Sequence, residues 1–350
     1  MCKKIKKIFL RNLTFEKFLE AEKRARKNKT SKTEIIKYQI NLENNLINLI
    51  NKIKNGSYSL GKYREFTVKE PKQRIIKSLP YEDRIVHQWY VEEFIKPYIM
   101  PKFIYSNCAC IPNKGTHFAV DIMQKYIKKY NKIYKEPWVL KCDISKFFYS
   151  IDQEILYQIM NKYIDDKMIL DITSKFIFDN FLEDKIGIPI GNYTSQFFGN
   201  IYLNELDKYV KYELNVKPYV RYMDDFILIL PNKEKCIEYM GKISIFLDSK
   251  LHLKFNSKSK YFKIKEGIDF CGYRIWDDYR LLRKSSKYKI KRNIKNWNKL
   301  WENNKINFKK VLASLNSWSG HISHCNSYRL KCSIYNKCEF IYKENNFKEF

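Results

Sequence analysis

The chain has no apolar run near the roughly 18 residues that a membrane-spanning helix needs, its longest strand-like run being Phe226 to Leu230. Its opening residues, MCKKIKKIFLRNL, hold too short an apolar stretch for an export signal, so a cytoplasmic protein is expected. The nine cysteines are an odd number without repeated spacing, which excludes a disulfide framework and points to reduced thiols. No Cys-x-x-Cys or His-x-x-x-His pair occurs. The C-terminal group His321, His324, Cys325, Cys332 and Cys338 therefore lacks the spacing of a zinc site, and Cys108 and Cys110 read as a buried apolar pair. Acids are scarce, 38 against 67 Lys and Arg, and the resulting net charge of +29 calls for a polyanionic partner. Arginine is scarce too, 12 of the 67 bases, so the charge is mostly lysine, suited to sequence-blind attraction along phosphates rather than to bidentate readout.

What is present is enough to fold. A chain of 350 residues with 45% hydrophobic and 16% aromatic residues excludes wholesale disorder and allows a sizeable core. Residues 1–62 carry apolar positions at helical spacing (Ile35, Ile36, Ile40, Leu46, Ile47, Ile50) and read as an N-terminal helical extension. Residues 63–79 read as a basic hairpin around Pro71, followed by a helix from Asp83 that Pro97 ends. An apolar strand (WVLKCDI) leads from Trp138 to Asp143, 153–186 is helical, and Thr194 or Ser195 caps a further helix. Residues 220–230 read as strand, acidic turn, strand. A helix over 233–250, a Lys-rich connection and a strand over 268–275 complete a mixed α+β pattern. From 280 to 310 twelve bases face one acid, with Trp297 and Trp301 four residues apart on one helical face, a spacing that favours core packing. No internal repeat is present.

The acids that remain are informative. Tyr222-Met223-Asp224-Asp225 lies between apolar strands, which places both acids at a hairpin tip. The same pattern recurs at Tyr163-Ile164-Asp165-Asp166, but among charged, helical residues, where a solvated helix face is the expectation. Asp143 ends another strand. If the two strands are neighbours, Asp143, Asp224 and Asp225 form a carboxylate cluster that repels itself unless divalent cations neutralise it. Two such cations would hold a triphosphate and activate a primer hydroxyl for in-line attack. Hairpin-tip and strand-end acids that merely avoid burial give the same pattern.

In order, LKCDISKFF (140–148), GIPIGNYTSQ (187–196), RYMDDF (221–226) and DFCGYRI (269–275) resemble successive motifs of bacterial and phage reverse transcriptases. CACIPNKGTHFAV (108–120), the form IGxxxSQ (190–196) and SWSGHISHCNSYRL (317–330) are more particularly similar to the enzymes of diversity-generating retroelements. The resemblance covers about 60–335 and implies a right-hand polymerase fold: fingers over 63–137, a palm with an antiparallel sheet over 138–278 with a helical insertion near 153–186, and a small helical thumb over 279–350. It implies error-prone, RNA-templated DNA synthesis with two Mg2+ ions, or Mn2+, held by Asp143, Asp224, Asp225 and the carbonyl of Ile144. Phe148 resembles the aromatic gate that excludes a ribose 2'-hydroxyl. Lys72, Arg74 and Lys258 resemble triphosphate contacts, Lys258 being placed to protonate the leaving pyrophosphate. Gly187, Pro189, Ile190, Gly191 and Gln196 resemble the loop at the incoming base. Ile190 stands where many relatives have Gln and cannot hydrogen-bond the nascent pair.

Arg84, His87, Lys114, Gly115 and Thr116 look like template-side contacts, Cys271, Gly272 and Tyr273 like the primer-holding turn, and Arg283 and Lys287 like thumb contacts to phosphates. The implied partners are an RNA template, a DNA or RNA primer, deoxynucleoside triphosphates and a small basic accessory protein, with no membrane. A retron-like or phage-defence reverse transcriptase shares the core motifs, and a non-catalytic RNA-binding protein on the same fold would share the charge.

Overall fold

The computed structural model describes residues 4–68, 73–178 and 185–342. Helix Phe15–Arg26 begins where the Thr14 side chain accepts from the Lys17 N–H, and it buries Phe18, Ala21, Glu22 and Ala25 on one face. That face packs on helix Tyr81–Tyr90, with the Phe18 and Trp89 rings 4.9 Å apart and the Tyr81 hydroxyl donating to Glu22 Oε1 at 2.8 Å. The N-terminal helices thus share one core with the helices and strands beyond residue 80. Strands β1 (Arg64–Val68) and β2 (Arg74–Ser78) form the expected antiparallel hairpin, whose tip, including Lys72, lies outside the described residues. Pro97 does not end the next helix where expected. The chain passes through a π turn, Val91–Ile95, into Lys96–Tyr98, where Pro97 sits in a first turn that needs no N–H from it.

Four antiparallel strands make the central sheet: β3 (Trp138–Cys142), β4 (Tyr219–Tyr222), β5 (Asp225–Leu230) and β6 (Lys260–Lys263), in the order β4-β5-β3-β6. Both faces are covered, which explains why β5 reads as an unbroken apolar run. Leu140, Phe226 and Leu228 join the core beneath helices Tyr193–Lys208 and Lys233–Leu251, while Val139, Ile227 and Ile229 pack with Val120 and Met123 of helix Thr116–Ile133. A second sheet comes next, β7 (Ile268–Phe270), β8 (Tyr273–Ile275) and β9 (Arg280–Leu282), all antiparallel. Segment 280–282, read from sequence as the start of the helical thumb, is therefore a strand, and helix Lys284–Glu302 starts after it. The C-terminal helices enclose their own core of Ile290, Ile294, Val311, Leu315 and Ile334, and Trp297 and Trp301 pack against it as their spacing predicts. Among the described residues no helix is long and apolar enough to cross a membrane, and the described cysteines are free.

The second acidic pattern is not a solvated helix face. Tyr163 and Ile164 are buried, and the chain breaks between helices Gln153–Tyr163 and Lys167–Phe178. Asp166 caps two segments at once: Oδ1 accepts from the N–H groups of Met168 and Ile169 at 3.2 and 3.4 Å, and Oδ2 from those of Ile8 and Phe9 at 3.0 and 3.2 Å. Asp165 points outward to Lys6, an exposed pair of small worth. Replacing Asp166 by Ala should cost about 2 kcal/mol, because four N–H groups lose their acceptor. Asp165→Ala should leave the thermal midpoint unchanged, so melting curves of the two variants check the assignment.

Candidate active site

Strand β3 delivers Asp143. Cys142, its last residue, pairs with Phe226 on β5, so the next position along the sheet sets Asp143 beside Asp225. Tyr222 pairs with Asp225 across a two-residue turn, Met223-Asp224, in which Met223 adopts φ 55°. A side chain in that left-handed region is strained and needs support from its surroundings. The backbone of Asp143 is held from behind. Its carbonyl accepts from Asn256 N at 2.7 Å and from Ser259 Oγ at 3.2 Å, while its N–H donates to the same Oγ at 3.1 Å. Lys258 lies exposed in the turn between those two residues.

Electrostatics tie the three acids together. Asp225 is 29% exposed by side chain, and its Oδ2 accepts from Lys141 Nζ at 3.1 Å, but its Oδ1 is covered and has no partner. Burial pushes the Asp225 carboxyl up to about 6; Lys141 opposes this, and the charges of Asp143 and Asp224 add to it. Among the described residues no three acidic, histidine or cysteine side chains are already drawn into a ligating cluster. The donor set nevertheless suits a hard divalent cation: carboxylate oxygens at one end of the sheet, one of them covered and unpartnered, with mutual repulsion that a cation would relieve.

Residues 66–275, well over half of the chain, match the family described as reverse transcriptase (RNA-dependent DNA polymerase). The chain belongs to the reverse transcriptase family. It is 22% identical over 297 residues to a COX1/OXI3 intron 2 protein of Saccharomyces cerevisiae, covering 65% of this chain and 33% of that protein. It is 24% identical over 216 residues to Protein YkfC of Escherichia coli, covering 51% and 55%. The chain thus spans a third and about half of the length of these curated relatives. Among solved structures, apo telomerase from Candida tropicalis, truncated from its C-terminal domain, aligns at TM-score 0.46 and 15% identity over 67% of this chain and 59% of that one. Telomerase from Candida albicans in complex with a TWJ fragment of telomeric RNA aligns at 0.46 and 14% over 65% and 46%. Likenesses this loose decide nothing about the site. The fold of this reverse transcriptase is the α+β right-hand polymerase fold.

Around the acids, the reverse transcriptase motifs converge. Phe147 is core, while Phe148 is half-buried beside Gly199, and its carbonyl accepts from Ile188 N at 2.8 Å. The loop continues to Ile190, whose carbonyl accepts from Lys77 N of β2 at 3.0 Å. Gly191, at φ 126°, passes so close to β2 that a Cβ would lie 2.7 Å from the Lys77 carbonyl. Hairpin, loop and Phe148 therefore form one connected wall. Gln196 is exposed and accepts from the Cys110 thiol at 3.4 Å, so Cys110 is not half of a buried pair with Cys108. Ile144 is buried and bridges to Phe255. Arg74 is exposed at the start of β2, and Lys287 on the first C-terminal helix.

On the template and primer side, several of the expected contact residues are engaged within the chain. Arg84 is engaged by Glu34 of the N-terminal helices at 2.5 Å. His87 is enclosed, its ring Nδ1 2.8 Å from Thr194 Oγ1, and burial lowers its pKa to about 3, so it is neutral and cannot meet phosphate. Lys114 Nζ donates to the carbonyls of Tyr105 and Asn107 at 2.6 and 3.3 Å and so braces its own loop. The side chain of Tyr273 is 0% exposed. It is a packing residue, whereas Cys271 and Gly272, at φ 47° and 92°, form the half-buried β7–β8 turn. Arg283 is tied to that turn, donating its N–H to the Gly272 carbonyl at 3.0 Å and its Nε to Asp269 Oδ1 at 2.5 Å.

Sequence reasoning missed three groups. Lys141 links the acids to the second sheet, donating also to the Asp269 carbonyl at 2.5 Å. Arg221 and Asp207 form a fully buried ion pair under the acidic turn. Finally, His117, His321 and His324 meet around Tyr273: the rings of His117 and His324 stack at 3.6 Å, and the Tyr273 hydroxyl, 3.1 Å from His321 Nδ1, donates to the His321 carbonyl at 2.7 Å.

This joint fastens the C-terminal helices to helix Thr116–Ile133. Burial lowers the pKa of both His117 and His321, with the neighbouring histidines adding to the effect and, for His117, Arg280 as well, against the opposing pull of Asp121. The folded state therefore favours neutral rings while the unfolded chain takes up protons near the ordinary value of 6.5. Its stability contribution is complete above that pH and is lost as pH falls through the lower folded-state values. The thermal midpoint should fall between pH 7.5 and 5.5 by more in the wild type than in His117→Gln/His321→Gln, a difference that melting curves at the two pH values would show.

Proposed function

We propose that this reverse transcriptase performs RNA-templated addition of deoxynucleotides to a primer 3'-hydroxyl. The observation that carries this is the crowding of Asp143, Asp224 and Asp225 at one end of the central sheet, where Asp225 keeps a covered, unpartnered oxygen and feels both neighbours' charges. Asp143, Asp224 and Asp225, with the Ile144 carbonyl, would hold two Mg2+ or Mn2+ ions. Bound there, such ions supply charge neutralisation for the phosphates and activation of the attacking hydroxyl.

The chain's own groups do the rest. Arg74 and Lys72 on the fingers hairpin, and Lys258 in the turn behind Asp143, orient the triphosphate by charge-assisted bonds, and Lys258 gives the proton to the departing pyrophosphate. The Phe148 ring occupies the space of a ribose 2'-hydroxyl and selects deoxynucleotides. Residues 63–137 act as fingers, 138–278 as palm, with 153–186 as a helical insertion, and the C-terminal helices as a small thumb. Lys287 and its basic neighbours on 280–310 track duplex phosphates. A basic accessory protein would add to the grip on the duplex.

Within the family we place the chain with the diversity-generating type. The three segments that carry that resemblance touch one another or one joint: Cys110 contacts Gln196, and His117 stacks on His324. Ile190 would then relax base selection, because its apolar side chain offers no hydrogen bond to the nascent pair.

Two measurements test the reading. On a primed RNA template with deoxynucleotides and Mg2+, Asp224→Asn should lower extension by at least about a thousandfold while leaving the thermal midpoint near that of the wild type; full extension by this variant would remove Asp224 from the reaction, and a wild type that extends no primer would leave only RNA binding. Ile190→Gln should lower misincorporation opposite template adenine. An unchanged error spectrum, read by sequencing the cDNA, would remove Ile190 from that role.

A further inference from the structure

Arg221 is completely buried two residues before Met223, and the proposed nucleotidyl transfer makes no use of it. Its guanidinium forks onto Asp207, Nε to Oδ1 at 2.7 Å and Nη2 to Oδ2 at 2.6 Å, with both side chains 0% exposed. The remaining Nη1 donates to Asn200 Oδ1 and to the Met223 carbonyl, each at 3.0 Å. Asn200 and Asp207 lie seven residues apart on helix Tyr193–Lys208 and so share a face, and Asn200 in turn donates to the Ala109 carbonyl at 2.9 Å. The Arg221 backbone is clamped as well: its N–H donates to the Ser106 carbonyl, and its carbonyl accepts from Cys108 N, both at 3.0 Å.

Burying a charge pair seldom stabilises a fold more than an apolar pair of the same volume would, so stability alone is a poor reason for this one. What an apolar pair could not supply is the bond to Met223. That residue holds the strained, left-handed corner from which both Asp224 and Asp225 depart, and its carbonyl direction fixes the plane of the peptide leading into Asp224.

We propose that Arg221 is a positioning residue: by holding the Met223 carbonyl, aimed by Asp207 and Asn200, it fixes the acidic turn in the orientation that nucleotidyl transfer requires. The assignment rests on the polymerase reading of those acids. The guanidinium touches no reacting atom. It transmits the rigidity of a buried helix to a two-residue turn whose own backbone preference runs the other way.

The test uses the full chain on a primed RNA template with deoxynucleotides and Mg2+. The double variant Arg221→Met/Asp207→Leu replaces the pair by apolar side chains. It should melt at or above the wild-type midpoint, keep its KM for deoxynucleotide within about threefold, and lose about 100-fold in kcat, the scale of a misplaced catalytic group. Adding Met223→Gly, which adopts the left-handed corner unaided, should return about tenfold of that loss. A double variant that melts like the wild type and turns over like it would overturn the proposal, and so would failure of the glycine to restore any rate. Should the double variant not fold, Arg221→Lys keeps a charge for Asp207 but cannot also reach Met223; a low kcat with unchanged KM supports the proposal, and a wild-type kcat overturns it. The wild type is assayed alongside, so its inactivity would instead overturn the polymerase reading itself.

Discussion

Like charges placed at one end of a sheet repel, and a fold that keeps them there must hold their backbones by force from elsewhere. In this chain the holding is done by neutral hydrogen bonds and one buried ion pair. Asn256 and Ser259 fasten Asp143 from the β6 side. Arg221 fastens the acidic turn from the helix beneath. Lys141, between them, gives Asp225 a partial counter-charge, yet burial and the two other acids still hold its carboxyl at about 6. The repulsion is thus tolerated rather than removed, which leaves the oxygens ready for an incoming cation.

The same fastening organises the surroundings. The loop through Gly187 and Gly191 is tied at one end to the Ile151 and Phe148 carbonyls and at the other to β2, so the hairpin that projects from the N-terminal half cannot move without moving the wall beside Phe148. On the opposite side, Lys141, Asp269 and Arg283 form a chain of contacts from the acids to the first C-terminal helix. The histidine joint around Tyr273 adds a second attachment for those helices.

Much of this was legible in the residues, and what was not has identifiable causes. Asp143 and the acids at 224 and 225 stood out because apolar strands flank them, and a strand buried on both faces leaves acids only its ends. Trp297 and Trp301 announced a helix core by their spacing. Strand β6 was hidden because an edge strand with Lys at both ends offers only Tyr261 and Phe262 as apolar signal. Asp166 looked like a solvated acid because capping two segments depends on a tertiary contact with residues 8 and 9. Arg84, Lys114 and Tyr273 were matched by motif position, but each is occupied by a partner that no local pattern reveals. Arg221 carried a signal that went unused: an arginine inside an apolar strand must find a buried acid. Asp207, however, sits in a helix that reads as half-polar.

The central claim is that one cation site joins acids that are distant along the chain. Titrating Mn2+ into the full chain with a triphosphate present, followed by electron paramagnetic resonance, tests it without relying on turnover. The account predicts that bound Mn2+ is lost alike in Asp143→Asn and Asp224→Asn. Uptake that survives Asp143→Asn but not Asp224→Asn would contradict it.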